Sequence, residues 1–306
     1  MTENLSNKTI VIVGAGPGFG RTLALQAAAQ GATVVVAART ESRVVEIAEE
    51  VRAAGGSAIA AAVDATDPES VRALRETVEG HTDAVHGLVY SAFAVPSMKP
   101  LAQTDHDQIS RGIDLSVLGA LRTTQEFTPL LEAGAAPATG TAAGSAAAAG
   151  AAPATGAAPA TGTAAGSAAA ADSATGAAPA SASVVMMASA VIHHSRERYA
   201  GYKIAKTALV ALGHSLATEL GPRGIRVNTV APGYIYGETL KAYFEHLATK
   251  YGGTVDDVYA HTAEKMDLRR LPSEREIVDP VLFLLSDAAS AVTGQTLTVD
   301  CGEFHT

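Results

Sequence analysis

The chain has 306 residues, enough for one large α/β domain or two smaller ones, and 47% of them are hydrophobic, ample for a core. A formal charge of −9 gives no footing for nucleic acid or an anionic membrane surface as partner. One cysteine, Cys301, excludes an internal disulfide and suits a reducing compartment.

The opening MTENLSNKTI lacks the basic and apolar regions of a signal peptide, and no apolar run approaches a membrane span, so a cytoplasmic protein is expected. Short β-branched runs then alternate with helical stretches. KTIVIV near residue 10, TVVVAA near 35, AIAAAV near 60 and HGLVY near 88 read as buried parallel strands, and SVVMMA, GIRVNTV and QTLTVD follow later. Seven strands separated by helices predict a doubly wound parallel sheet in a three-layer α/β/α domain. Ligands of such sheets bind beyond the carboxyl ends of the strands.

The first strand runs directly into GAGPGFG, Gly14 to Gly20, and then into the helical RTLALQAAAQG. Glycines at such a turn let backbone amides approach a pyrophosphate, which the helix N-terminus favours electrostatically. The spacing is G-x-x-x-G-x-G, carried by Gly14, Gly18 and Gly20, with Phe19 where the G-x-G-x-x-G pattern has its last glycine. The second strand ends in VVVAARTESR, with Ala38 where NAD-preferring sites commonly hold an acidic residue. Arg39 follows, and it is either a guanidinium for a ribose 2′-phosphate or a solvated surface arginine. Asp64, at the tip of the third strand, either accepts a hydrogen bond from an adenine amino group or caps the helix after Pro68.

Composition changes abruptly over residues 133–182, where Asp172 is the only charge and no aromatic residue occurs. AAPATGTAAGSAAAA begins at Ala135 and again at Ala157. Frequent Pro, Gly and Thr oppose a lasting helix, and alanine methyls bury too little for a solenoid, so a low-complexity disordered insert in a loop is expected. Beyond it, GYKIAK places Tyr202 and Lys206 one helical turn apart, as are Tyr199 and Lys203. The first pair continues into Leu209, Gly213, Leu216, Ala217 and Leu220, an inward stripe; the second continues into Thr207, Val210 and His214, a more polar side. The nine histidines have no regular ligand spacing, so no metal site is expected.

Together these residues resemble the short-chain dehydrogenase/reductase family, over the whole chain apart from the insert. The family's glycine motif corresponds to Gly14, Gly18 and Gly20, although Val13 replaces its preceding threonine. Its adenine-site aspartate corresponds to Asp64, with Ala65 beside it. The family's catalytic serine lies thirteen residues before the catalytic tyrosine, and Ser189 lies thirteen before Tyr202, which selects Tyr202–Lys206 over the other pair. ELGPRGIRVNTVAPGY resembles the segment after the active-site helix; its Pro232 and Gly233, with Ile235 following, match the turn beside the nicotinamide.

The resemblance implies a Rossmann-type sheet and hydride transfer between a nicotinamide cofactor and a carbonyl/secondary alcohol pair. NADP(H) is favoured and NAD(H) possible. Tyr202 would be the general acid and base, acidified by the Lys206 ammonium and the positive nicotinamide ring. Ser189 would hydrogen-bond the reacting oxygen, and Lys206 would also hold the ribose hydroxyls. A homo-oligomer, dimer or tetramer, is implied too. The segment 234–270, rich in Tyr and His, corresponds to the substrate lid, and its length points to a bulky or partly apolar small molecule. Tyr234, Tyr243, Phe244 and His246, with His193 and His194, are candidates to face that substrate.

Three further departures from the family stand out. Its NNAG is YSAF here: Ser91 and Ala92 keep backbone amides for the ribose, but strand-supporting polar side chains are lost at Tyr90, and Phe93 replaces a glycine that lets the cofactor pass. Aligning on Gly119 puts Ser116 in the place of the catalytic asparagine. Gly237 stands where a threonine touches the carboxamide, with Thr239 close by. These departures sustain a second reading, a catalytically weakened NADP(H)-binding sensor or scaffold. A third reading is a 3-oxoacyl thioester reductase.

Overall fold

The computed structural model describes residues 4–94, 99–136 and 181–305. Strand β1 (Thr9–Val13) points Ile10 and Ile12 to one face and Val11 and Val13 to the other, and both faces are fully covered. The turn after it leads into α1 (Phe19–Ala29), and β2 (Thr33–Ala38), α2 (Glu41–Ala53), β3 (Ser57–Ala62) and α3 (Pro68–Glu79) follow. After β4 (Gly87–Tyr90) come α4 (His106–Ile113), a π-helical turn at Asp114–Leu118, and α5 (Gly119–Ala135). β5 (Ala182–Met187), α6 (Ala200–Leu220) and β6 (Ile225–Pro232) precede two helices, α7 (Glu238–Tyr251) and α8 (Val255–Ala263). The order ends with α9 (Glu274–Leu285) and β7 (Thr296–Val299).

All seven expected strands are present, paired in parallel in the order β3-β2-β1-β4-β5-β6-β7. The order reverses between β1 and β4, and a crevice opens there beyond the strand ends, as doubly wound sheets require. One apolar layer joins the sheet to α3, α5 and α6 and another joins it to α1, α2 and α9. A third cluster, around Phe244, Met266 and Leu271, holds α7 and α8 together.

The limits of the insert need correction. Residues 133–135 belong to α5 and Ala182 opens β5, so packing claims both ends of the biased stretch. Gly134 shows why: a Cβ there would overlap the Val85 carbonyl oxygen, where the helix crosses the chain entering β4. Ser181 is also engaged, its hydroxyl accepting from Arg226 at 3.0 Å. The rest of the repeat, residues 137–180, lies outside the described residues.

Candidate active site

The glycine turn is built by close approach. Gly14 has φ +91°, and a Cβ there would overlap the Ala92 backbone nitrogen at the end of β4. A Cβ on Gly20 would lie 2.6 Å from the Ala15 Cα, so a methyl there would push α1 off the turn. Gly18 precedes α1 with no side-chain cap, and the first helical turn carries no acidic residue. Its first amides are thus left without a side-chain cap, an arrangement that suits a phosphate. The Ser91 hydroxyl donates to the Val13 and Gly14 carbonyls at 3.2 and 3.1 Å, tying the two strand ends together.

Two cavities flank this turn. One, of about 270 Å³, runs between Gly14, Ala38, Arg39, Arg43, Ala65, Ala92 and Phe93. The other, of about 350 Å³, takes in Gly18, Phe19, Gly20, Ser189, Tyr202, Lys206, Pro232, Gly233 and Ile235, and Thr239 also lines it. Nearly all the expected cofactor contacts thus converge on one crevice. Glu274, at the start of α9, also lines it. Its carboxylate accepts from the Thr22 hydroxyl at 2.8 Å and lies against Gly18 and Gly237, joining the glycine turn to the start of α7.

Asp64 is half-buried and does not cap α3; Asp67 does, accepting from the Glu69 amide at 3.0 Å. The Asp64 carboxylate instead accepts from the Thr66 hydroxyl and amide at 2.7 and 2.9 Å, and these bonds hold its pKa below the ordinary value.

Ser189 follows β5 and starts a 3₁₀ turn, where its hydroxyl accepts from the Val191 amide at 3.3 Å. Tyr202 and Lys206 follow on α6, whose buried stripe runs through Lys206, Leu209, Gly213, Leu216, Ala217 and Leu220, as the helical spacing requires. The electrostatics differ from expectation. Burial raises the Tyr202 phenol above its usual range, and its bond with the Ser189 hydroxyl is the opposing influence. Lys206 is 2% exposed and donates to the Met187 carbonyl at 2.6 Å, and burial pushes its amine down to about 7. In the structure as it stands the influences on the phenol are burial and Ser189, while burial favours the neutral Lys206 amine, whose hydrogen bond goes to Met187. Phe93 packs over both, with its ring centre 5.3 Å from that of Tyr202 and 5.1 Å from Lys206 Nζ.

Ser116 lies in the π-helical turn, 1% exposed, and is not among the residues lining the cavities; α6 packs against this turn. The expected loss of support at Tyr90 is corrected. Its buried hydroxyl donates to the Leu115 carbonyl inside that turn at 2.5 Å, and a Cβ on Gly119 would overlap it. A long aromatic side chain reaches a backbone acceptor that a shorter one would not.

A third cavity of about 220 Å³ lies on the lid side, lined by Ser189, Val191, His194, Arg196, Tyr199, Tyr202, Tyr234, Ile235, Leu240 and Glu303 among others. Of the four candidates in the segment expected to be the lid, Tyr234 lines it; Phe244 is buried in the cluster that joins α7 and α8, and Tyr243 and His246 are exposed. His194 stacks on Phe304 with centres 4.8 Å apart, and His193 Nε2 pairs with the Thr298 hydroxyl at 2.9 Å. Burial lowers the pKa of both. Arg196 and Glu303 escaped sequence reading, since a lone arginine in a loop and a glutamate in the tail carry no spacing signal.

Among the described residues no group of three or more His, Cys, Asp or Glu is placed to hold a metal, and no helix is long and apolar enough to cross a membrane. A family model described as short chain dehydrogenase matches residues 8–158, and one described as Enoyl-(Acyl carrier protein) reductase matches residues 159–303. The chain is 29% identical over 304 residues to the short chain dehydrogenase/reductase astE of Aspergillus oryzae, covering 98% of this chain and 95% of that one. It superposes with a TM-score of 0.80 on L-sorbose reductase from Gluconobacter frateurii complexed with NADPH and L-sorbose, at 23% identity and 100% coverage of both chains. A 7α-hydroxysteroid dehydrogenase complexed with NADH gives 0.76 at 24% identity, covering 98% of this chain and 96% of that one. The two family models meet at residue 158 and between them take in both the glycine turn and the Ser189–Tyr202–Lys206 constellation; the chain belongs to the short-chain dehydrogenase/reductase family of oxidoreductases.

Proposed function

We propose that the protein interconverts a carbonyl and a secondary alcohol, with Tyr202 as proton donor and acceptor and NADP(H) preferred over NAD(H). One observation carries this reading: Ser189, Tyr202, Gly233, Ile235 and Leu240 line both the cleft beside the glycine turn and the lid-side pocket. The phenol stands at the seam of the two spaces. Support for a dinucleotide comes from the uncapped start of α1 and the Gly14 cradle, which a Cβ would fill. Arg39 and Arg43 beside Ala38 support a 2′-phosphate; Ala65, Ser91, Ala92 and Lys206, which line the two cavities, and Asp64, next to Ala65 in the chain, are assigned to adenine and ribose.

When bound, the dinucleotide supplies the hydride. Ser189 holds the reacting oxygen by its hydroxyl. Tyr202, kept protonated at neutral pH by burial, gives its proton to that oxygen in reduction and takes one back in oxidation. Lys206 steadies the end of β5 through Met187, and Ser116 lies buried in the π-helical turn against which α6 packs. Residues 234–270 act as the lid, and the Val191, Tyr199, Tyr234, Ile235 and Leu240 walls suit a bulky, partly apolar substrate. The same reading takes the protein as cytoplasmic and as a homo-oligomer; the second is supported by a mostly apolar groove of about 510 Å³ along α6, lined by Tyr199, Ile204, Ala208 and Ala211 with Arg196 and Lys203 beside them, and sedimentation measures the assembly.

The test is Tyr202→Phe, assayed by absorbance of the reduced nicotinamide on a panel of carbonyls and alcohols with both cofactors. Turnover is expected to fall by about a hundredfold or more. Dinucleotide binding, read by calorimetry, is expected to persist. Undiminished turnover in the variant would sink the assignment, and a lower KM for NADH than for NADPH would sink the cofactor preference.

A further inference from the structure

The lid-side pocket has a chemically distinct far wall. Arg196, in the loop between Ser189 and α6, donates from Nη1 to the Tyr234 hydroxyl at 2.6 Å and from Nη2 to Glu303 Oε1 at 3.0 Å. The Glu303 side chain is 6% exposed and that of Arg196 33%, so this ion pair forms part of the wall. The C-terminal tail that carries Glu303 is fastened in place. The Asp300 carboxylate accepts from the Gly302 and Phe304 amides, each at 2.9 Å, and the Phe304 ring stacks on His194. Val191, Ile235 and Leu240 supply apolar surface, and Ser189 and Tyr202 the reactive side.

Two bonds engage two of the five N–H donors of a guanidinium, and a carboxylate keeps lone pairs beyond the one given to Arg196. The wall therefore offers a donor and an acceptor side by side, with charges that cancel. A carboxylate or phosphate drawn to Arg196 would lie against Glu303, and like charges at that range repel. A methyl group would strip water from the ion pair and return no hydrogen bond. A hydroxyl satisfies both, accepting from the guanidinium and donating to the carboxylate.

Resting on the carbonyl/alcohol reading above, we propose that the substrate is a neutral carbonyl compound bearing a remote hydroxyl group, bound between Arg196 and Glu303. The two residues are specificity determinants and take no part in proton transfer.

The experiment uses methyl ketones of about five to about ten carbons, each ending in a hydroxyl, a methyl or a carboxylate, so that the reach of the pocket is scanned. At the best length the hydroxy ketone is expected to exceed the methyl ketone about tenfold in kcat/KM, chiefly through KM, and to exceed the carboxylate by more. Arg196→Met is expected to erase the hydroxyl preference, and Glu303→Gln to raise the carboxylate ketone about tenfold. The same ketones are titrated calorimetrically into Tyr202→Phe, where discrimination is scored with turnover removed. A hydroxyl preference in binding without turnover in any protein would leave the proposal standing and remove the dehydrogenase reading instead. Turnover with methyl and hydroxy ketones equal at every length, or a preference that survives Arg196→Met, would overturn the proposal.

Discussion

Lys206 offers the sharpest quantitative test, because a buried amine records its surroundings in the pH dependence of stability. Its pKa falls from 10.5 to about 7 through burial, so between those values the unfolded chain holds a proton that the folded chain has released. The unfolded state binds more protons in that window, so stability rises as pH rises through it and is lost as pH falls toward 7. Lys206→Met removes the titration. Each pH unit in the window should then move the stability difference between wild type and variant by up to about 1.4 kcal/mol. The bond to Met187 and the Phe93 ring favour the charged amine, which argues for roughly half of that. From about pH 7.5 to about pH 9.5 the wild type is expected to gain about 1–2 kcal/mol on the variant. Leaving the Met187 carbonyl without its donor costs the variant about 1–3 kcal/mol at every pH, so the change with pH is the readout and the offset is not. Urea unfolding of both proteins at the two pH values measures it. A difference constant to within about 0.5 kcal/mol would show that the amine stays charged through neutrality, and burial would then not govern the protonation of Lys206.

Phe93→Gly removes a ring that lines both nucleotide-side cavities and packs on Tyr202 and Lys206; with contacts worth about 1 kcal/mol no longer to be broken, dinucleotide affinity should tighten about fivefold in calorimetric titration. Weaker binding would mean that the ring stacks on the cofactor and does not obstruct it. Tyr90→Phe leaves the Leu115 carbonyl in the π-helical turn without its hydroxyl donor and should destabilise the protein by about 1–3 kcal/mol in urea unfolding, with a matching drop in turnover if Ser116 depends on that turn. Unchanged stability would show the hydroxyl bond to be replaceable by water.

The sheet was legible because its five inner strands are buried on both faces, so their apolar runs stand out against the helices; the edge strands β3 and β7, expected to be buried, are only partly so, yet all seven were found in the right class of pairing. The glycine turn was legible for a similar reason. Only glycine fits where Gly14 meets Ala92 and where Gly20 meets Ala15, so the sequence records the contact directly. The insert boundary was missed at both ends because composition reports what a segment is made of, whereas Gly134 and Ala182 are placed by what they pack against. Tyr90 and Phe93 share a tetrapeptide and a departure from the family pattern, yet one buries its hydroxyl in a helix and the other lies half-open over the cleft. Their spacing alone distinguishes nothing, because opposite outcomes follow from the local direction of the chain at the end of β4.

Proton chemistry lies further still from the sequence. An interval of four on a helix establishes that Tyr202 and Lys206 share a face, and α6 bears that out. It does not say where the amine sends its hydrogen bond. That depends on Met187, nineteen positions away in the chain and brought within 2.6 Å by the return of α6 beside β5. The phenol responds to the same burial in the opposite sense: desolvation disfavours whichever form is charged, so it lifts the acid and lowers the base together. Burial therefore draws the pair toward a phenol beside an amine, whereas an ammonium and a nicotinamide ring beside the phenol would draw it the other way. Of the two states, the protonated phenol is the one able to donate to a carbonyl oxygen, and on the proposed reading the same low dielectric would strengthen the hydrogen bond from Ser189 to that oxygen.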